Sequence, residues 1–311
     1  MKTVFIVNSP AARRNTDEWH RITYYIGRSP QLLGDILMTE RPGQASEMAR
    51  DAVRAGCQVL VAVGGDGTVN EVLNGLSEAG ASADSRVVLG TIPLGSGCDL
   101  ARSLGLSRKI PEALEALEKK NVVRIDVGRV HLTGLSGQKE TRLFANIGDL
   151  GAGGVVVQQA SRSPRVLGRR PNYFWGILAA ALSYKARMVS VSIDGGQPVE
   201  LAVRNMIIAN GRYFGRGFLA APQARMDDGL FDIVNIGDFS TVESVRYLPS
   251  LYRGTYLGLK KVRHYRGKTV EVEAAQEVLI ELDGELAGKL PATFEVVPGA
   301  VDIIAGQPVW E

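Results

Sequence analysis

Short apolar runs alternate with amphipathic stretches through the first third of the chain. Thr3–Val7, Asp35–Thr39, Val59–Val63 and Val87–Ile92 read as strands, the valine-rich Val59–Val63 run as a buried one. Between them the apolar spacing changes to that of helices. One helix is predicted from about Asp17 to Gly27. A second carries Ala45, Met48, Ala49, Ala52 and Val53 on one face and stops at Gly56. A third places Val69, Val72, Leu73 and Leu76 together, and a fourth covers Pro111–Lys120. Strand–helix alternation predicts a parallel sheet with helices on both faces. Ligands of such sheets sit outside the carboxyl ends of the strands. Asn8, Thr39 and the loops Gly64–Thr68 and Gly95–Asp99 all fall at those ends.

The pattern then changes. Val122–Leu132 alternates loosely, and Arg142–Ile147, Val189–Ile193, Val199–Ile208, Phe231–Ile236, Thr269–Val272, Val278–Leu282, Thr293–Val297 and Val301–Ile304 follow as strand candidates. Turns at Asp194-Gly195-Gly196, Asp283-Gly284 and Pro298-Gly299 punctuate them. This is an antiparallel β signature. The expected fold is therefore α/β plus β, with an α/β domain over residues 1–125, a β-sandwich domain over residues 126–299 and a boundary near Arg124–Gly128.

Composition narrows the picture slightly. A formal net charge of +3 is too small to argue for nucleic acid. Cys57 and Cys98 make no disulfide framework, and the reading is a protein of the reducing cytoplasm. The N-terminal run lacks a signal-peptide pattern, and no apolar run approaches the roughly 20 residues of a membrane span. Membrane contact is thus expected to be peripheral. Between Ser161 and Ile193 there is no acid, while Arg162, Arg165, Arg169, Arg170, Lys185 and Arg187 bracket an aromatic and apolar helix candidate at Tyr173–Leu182. A second basic run spans Arg253 to Lys268 and includes Lys260, Lys261, Arg263 and Arg266. The two runs read either as core-packed segments with solvated basic ends or as docking sites for an anionic lipid surface.

The chemistry is concentrated in two glycine loops and two later turns. Gly64-Gly65-Asp66-Gly67-Thr68 joins a strand to a helix, a geometry that aims backbone N–H groups and a positive helix end at phosphate. Asp66 is an acid where an anion is expected, which makes sense with Mg²⁺ between it and the phosphates. Gly95-Ser96-Gly97-Cys98-Asp99 precedes a short helix and suits phosphate or ribose contact, with Cys98 read as a packed thiol. Asp227-Asp228-Gly229-Leu230 and Leu282-Asp283-Gly284-Glu285 each read as an acidic turn at a strand end.

The string Gly-Gly-Asp-Gly-Thr-Val-Asn-Glu-Val at Gly64–Val72 resembles the nucleotide loop of the diacylglycerol kinase catalytic domain family, which includes bacterial soluble lipid kinases, sphingosine kinases and ceramide kinases. Asn70 and Glu71 favour this family over NAD kinases and phosphofructokinases, which share the shorter loop. The resemblance implies a three-layer NAD kinase/phosphofructokinase-like nucleotide domain, a β-sandwich behind it, and a tail over residues 300–311 that returns to the first domain. It implies ATP contacts from Asn8, Thr39, Gly64, Gly65, Asp66, Gly67, Thr68, Asn70, Glu71, Gly95 and Ser96. It makes Glu285 the general base and Asp66 a catalytic residue holding Mg²⁺. It also implies a structural Mg²⁺ on the Asp228 carboxylate and the main-chain oxygens of Arg225 and Leu230. Three departures stand out. The opening reads Asn8-Ser9-Pro10-Ala11-Ala12 rather than asparagine-proline-glycine, Cys98 replaces an asparagine, and Gly153 stands where an aspartate is common. The loop Asn146–Gly154 is accordingly given no catalytic role.

The expected activity is ATP- and Mg²⁺-dependent phosphorylation of a lipid hydroxyl, that of diacylglycerol first. The expected partners are the lipid and an anionic membrane surface, with room for a homodimer and no nucleic acid. The rival readings are an NAD kinase-like phosphotransferase and a catalytically silent lipid- or nucleotide-binding protein.

Overall fold

In a computed structural model, residues 2–80, 87–162, 184–308 and 310 are described. The strands are β1 (Thr3–Val7), β2 (Gly34–Met38), β3 (Val59–Gly64), β4 (Val88–Pro93), β5 (Val122–Thr133), β6 (Lys139–Phe144), β7 (Ile147–Gly151), β8 (Arg187–Ile193), β9 (Val199–Val203), β10 (Asn205–Ala209), β11 (Tyr213–Phe214), β12 (Phe218–Leu219), β13 (Phe231–Ile236), β14 (Val262–Gly267), β15 (Thr269–Glu273), β16 (Leu279–Leu282) and β17 (Glu285–Ile304). The helices are α1 (Ser9–Arg14), α2 (Thr16–Arg28), α3 (Gln44–Arg54), α4 (Asp66–Glu78), α5 (Asp99–Ser103), α6 (Ile110–Lys119), α7 (Ala152–Arg162) and α8 (Thr241–Arg253).

The first strands pair in parallel, in the order β2-β1-β3-β4. One face is covered by α3 and α4, whose Ala45, Ala49, Val72 and Leu73 pack with Ile6 and Leu60. The other face is covered by α2 and α6 through Ile22, Ile26, Leu114 and Leu117. Every residue of β1 and β3 is buried, which is why these segments read as unbroken apolar runs rather than alternating ones.

The later strands form two antiparallel layers that share β17. One runs β14-β13-β10-β7-β16-β17, and the other joins β17 to β5, β6, β15, β8 and β9. Phe144 stacks on Phe231 and meets Phe294 edge-on at the centre of the core between them. No helix among the described residues is long and apolar enough to cross a membrane.

The α/β-plus-β class and most predicted elements are present, and four differences have physical causes. The Pro298-Gly299 turn is not a turn. β17 continues through it with a register shift against β5, and Asp126 accepts the Gly299 N–H at 2.7 Å. The end of β17 then pairs in parallel with β4, Asp302 opposite Val88, and so enters the first sheet. The run Arg142–Ile147 breaks at Ala145-Asn146, because those N–H groups turn toward the Asp283 carboxylate. The run Val199–Ile208 breaks at Arg204, which separates β9 from β10. Helices α1, α7 and α8 and strand β14 have no counterpart among the predicted elements. In α8 an internal Pro249 masks the helical pattern, although Ser240 and Glu243 form a capping box at its start. The acid-free stretch with Arg165, Arg169 and Arg170 and the Tyr173–Leu182 helix candidate lies largely outside the described residues. In the second basic run, Lys261 pairs with Glu243 and Arg266 pairs with Asp228 and Asp232, so these cations are engaged within the protein.

Candidate active site

The site is built on the carboxyl edge of the parallel sheet. β3 ends at Gly64, Gly65 has extended backbone, and Asp66 opens α4. Asn8 follows β1, caps α1 by accepting the Ala11 N–H at 3.0 Å, and donates its amide to Thr68 Oγ1 at 3.1 Å. Thr39 follows β2 and accepts the Ser9 N–H at 3.3 Å, which braces the first loop from behind. The Asp66 carboxylate accepts the N–H groups of Asp99 (3.1 Å) and Leu100 (3.0 Å), tying the first glycine loop to the start of α5. Burial pushes Asp66 up despite these bonds.

Cys98 adopts a left-handed conformation, φ +55°. Asparagine tolerates that region better than most residues, which accounts for its usual place here. The Cys98 thiol packs near the Gly64 carbonyl, and burial pushes it up to about 12, so it is a packed group and not a nucleophile at neutral pH.

Opposite the first loop lies the hairpin between β16 and β17. Asp283 and Gly284 both have positive φ, +48° and +90°, as a tight hairpin requires. Asp283 is buried beneath the turn. Its carboxylate accepts N–H groups from Ala145 (2.8 Å), Asn146 (3.0 Å) and Ile147 (2.9 Å), and the Asn70 amide at 3.0 Å. Burial still pushes it up to about 6. This network aims Glu285 across the cleft. A Cβ placed on Gly67 would lie 2.4 Å from Glu285 Oε1, so only glycine lets the carboxylate approach the loop so closely. Burial, with Glu71 nearby, pushes Glu285 up to about 7, while the Arg142 guanidinium 4.0 Å away pulls it down.

A cavity of about 730 Å³ opens at this point. Its polar end is formed by Asn8, the Gly65–Thr68 and Gly95–Gly97 segments, Asp99 and Glu285. Arg14 and Arg216 line the same end and supply positive charge that the motif reading missed. Its other end is apolar, lined by Val156 and Val157 of α7, Leu248 and Leu251 of α8, and Tyr256 and Leu259.

Not every expected contact faces this cavity. Gly64, Thr39, Asn70 and Glu71 are outside its wall. Asn70 joins α4 to Asp283 and to the Leu143 carbonyl (2.9 Å), while Glu71 accepts the N–H groups of Gly43 and Ala45, both at 3.1 Å, at the start of α3. Both side chains are engaged one turn into α4, where they connect parts of the protein. Gly153, the departure from the usual aspartate, also has a cause: a Cβ there would lie 2.1 Å from Asp149 Oδ2.

The two expected Mg²⁺ positions differ. Asp66 and Asp99 stand together at the polar end as two acids of the type a hydrated divalent cation takes, and Asp99 Oδ1 has no hydrogen-bond partner but lies 3.8 Å from the Arg102 guanidinium. At the Asp228 turn the carboxylate is already engaged within the protein. Asp228 Oδ1 accepts the Leu230 N–H at 3.1 Å and Oδ2 is held by the Arg266 guanidinium, which also lies 3.3 Å from Asp232. Arg225 pairs with Asp227 and the Trp310 carbonyl. Arg266 thus neutralises the carboxylate assigned above to a cation.

Comparison with known proteins agrees with this architecture. Residues 2–130 match the profile of the diacylglycerol kinase catalytic domain, and residues 149–305 match that of the YegS C-terminal NAD kinase beta sandwich-like domain. A curated diacylglycerol kinase of Staphylococcus saprophyticus is 28% identical over 258 residues, 82% of this chain and 79% of the relative. One from Staphylococcus aureus is 28% identical over 275 residues, 87% of this chain and 82% of the relative. Among solved structures, a diacylglycerol kinase from Bacillus anthracis superposes with a TM-score of 0.66 at 22% identity, covering 98% of this chain and 97% of that one. Yeast NADH kinase complexed with NADH shares the fold at a TM-score of 0.52 and 11% identity, covering 99% and 84%. The chain is therefore a lipid kinase that belongs to the diacylglycerol kinase catalytic domain family and carries the YegS-type β-sandwich-like domain.

Proposed function

We propose that the chain transfers the γ-phosphate of ATP, with Mg²⁺, to a lipid hydroxyl, with diacylglycerol as the reference acceptor. The observation that carries this reading is the placement of Glu285 against Gly67, at the point where the polar loops meet the apolar cavity. The phosphates would lie on the N–H groups of Gly65–Thr68 and Gly95–Gly97, with Arg14 and Arg216 beside them. Asp66 and Asp99 would hold Mg²⁺, which neutralises charge on the phosphates. The lipid chain would occupy the apolar end and present its hydroxyl to Glu285, which takes the proton as the hydroxyl attacks. Asp283 and Asn70 act through position, keeping Glu285 on the loop.

The surface that would meet an anionic membrane is α8. Val242, Val245 and Tyr252 are exposed on its outer face together with Arg246 and Arg253, while Tyr247, Leu248 and Leu251 on its inner face line the cavity. Such a helix suits shallow contact with a bilayer from which the acceptor is drawn.

The test is ATP consumption with labelled nucleotide over a lipid panel and NAD. Lipid-dependent transfer supports the reading, and transfer to NAD alone would replace it with the NAD kinase-like one. No transfer with lipid or nucleotide still bound would leave a silent binding protein.

A further inference from the structure

The β11–β12 hairpin comes from the second half of the chain and docks on the start of α5 in the first. Asp99 Oδ2 accepts the Arg216 N–H at 2.7 Å, and the Gly217 N–H bonds to the same carboxylate. Asn146 donates its amide to the Tyr213 carbonyl at 2.8 Å, and the Arg102 guanidinium lies over the Tyr213 ring at 5.4 Å. Tyr213 pairs with Leu219 and Phe214 with Phe218, which leaves Gly215-Arg216-Gly217 as the loop. All three loop residues have positive φ, +57°, +70° and +103°. Glycine adopts this region freely, whereas an arginine is held there at a cost. Strain of this kind persists where surrounding contacts over-determine it, and it gathers at working sites.

The strained residue carries its charge into the cleft. Arg216 is exposed and lines the cavity, its Nη2 lies 3.4 Å from Ser96 Oγ, and its guanidinium forms no ion pair among the described residues. The neighbouring Asp99 carboxylate faces Arg102 instead, at 3.8 Å. A Cβ on Gly97 would meet Asp66 Oδ2 at 3.1 Å, Asp99 Oδ2 at 3.6 Å and Arg216 Cγ at 3.9 Å, so the two acids and the arginine converge on one point of the second glycine loop. Phe214 and Phe218, on either side of the hairpin loop, also line the cavity. Arg216 thus stands where the polar end passes into the apolar one.

We propose that Arg216 is a catalytic residue whose guanidinium neutralises the phosphoryl group during transfer. The proposal rests on the phosphotransfer reading above and divides its labour: Glu285 takes the proton and Arg216 meets the developing charge. As the acceptor oxygen bonds to the γ-phosphorus, the bond to the β,γ-bridging oxygen breaks. Its electron pair stays on ADP, and the acceptor proton passes to Glu285. Charge on the moving group is spread over oxygens that a planar, forked donor matches. A contact made mainly in that state raises kcat and leaves ground-state ATP affinity nearly unchanged.

Arg216→Gly tests this, because it suits the +70° backbone, keeps the main-chain bond to Asp99 and removes the guanidinium. In lipid-dependent turnover of the full chain, kcat should fall by about 10²- to 10³-fold, the range for losing one transition-state donor. KM for ATP should change little, and the melting temperature without nucleotide should be no lower than that of the wild type. Added methylguanidinium should restore part of the rate. Arg216→Lys, which keeps the charge and loses the fork, should fall between. A second readout needs no turnover: calorimetry with Mg²⁺-ADP alone and with aluminium fluoride, which mimics the planar phosphoryl group. The wild type should bind the fluoride complex more tightly than ADP, and Arg216→Gly should lose that difference while ADP binding stays. Wild-type kcat in Arg216→Gly, equal loss of ADP and fluoride-complex binding, or a lower melting temperature without methylguanidinium rescue overturns the assignment. If no lipid supports turnover but the fluoride complex still separates the variant from the wild type, the lipid-phosphorylation reading falls and Arg216 stands.

Discussion

Replacing Glu285 by glutamine keeps the shape of the side chain against Gly67 and removes its ability to take a proton. Asp283 holds the turn through four hydrogen bonds that do not involve Glu285, so the variant should keep the hairpin in place. Loss of a general base costs roughly 10²- to 10⁴-fold in turnover, about 3 to 5 kcal/mol at 1.36 kcal/mol per decade. The structure adds a pH signature. Glu285 is pushed up to about 7, so the ionised fraction, and with it kcat, should rise roughly tenfold between pH 6 and pH 8. The sign follows from the role: the base works only when ionised, so activity is lost as pH falls through 7. The variant should be slow and lose that limb. Labelled-ATP turnover with dispersed lipid, followed across pH, and ATP binding by calorimetry on the same preparation test both halves. Near-normal turnover, or the same rising limb in the variant, would refute the assignment. Lost ATP binding together with lost turnover would mean that Glu285 shapes the nucleotide site instead.

Arg142→Gln should move the rising limb to higher pH, because the guanidinium 4.0 Å from Glu285 is the group that pulls it down; an unmoved limb would remove Arg142 from the site's electrostatics. Asp66→Asn should fold and lose Mg²⁺-dependent ATP use, with a stability cost of about 1–3 kcal/mol, since one of the N–H groups of Asp99 and Leu100 loses its acceptor; full activity would refute its role. The melting temperature of the wild type should not respond to Mg²⁺ or chelator through the Asp228 turn, because Arg266 already neutralises that carboxylate. Arg266→Met should lower it by leaving Asp228 and the buried Asp232 without their partner, and a Mg²⁺-dependent melt lost in Asp228→Ala would reinstate the cation.

Much of the first half was legible because its signals are local. β1 and β3 are buried on both faces, and a sequence shows that directly as a valine-rich run. The helices between them carry regular apolar faces and end at glycine or polar residues. The second half was harder because its strands are defined by partners far away in the chain. β17 continues through Pro298-Gly299 only because β5 and the Asp126 carboxylate receive the extra residues. β14 reads as a basic run because Arg263 and Arg266 dominate Val262–Gly267, and its pairing with β13 is set by a strand some thirty residues away. The capping box at Ser240 and Glu243 was a local signal for α8 that could have been used.

For the site, residue type in a motif was informative about neighbourhood and less so about task. Asn70, Glu71 and Asp283 all sit in motifs that meet at the cleft, yet each holds another part of the protein. The distinction lies in where backbone N–H groups end up, which no spacing reveals. Asp283 has its acceptors filled by a segment more than a hundred residues earlier, and Glu71 has both oxygens on the start of α3. Acids whose oxygens are filled in this way are positioned to hold geometry. Asp99 at the polar end lines the cavity and keeps one oxygen without a hydrogen-bond partner, 3.8 Å from the Arg102 guanidinium. Glu285 also faces the cavity: over a third of its side chain is exposed, the Arg142 guanidinium lies 4.0 Å away, and the glycine opposite leaves room for it. Filled oxygens together with a place outside the cavity wall mark Glu71 as scaffold, whereas Asp66 holds the Asp99 and Leu100 N–H groups and still faces the cavity, so one carboxylate can brace a loop and line the site.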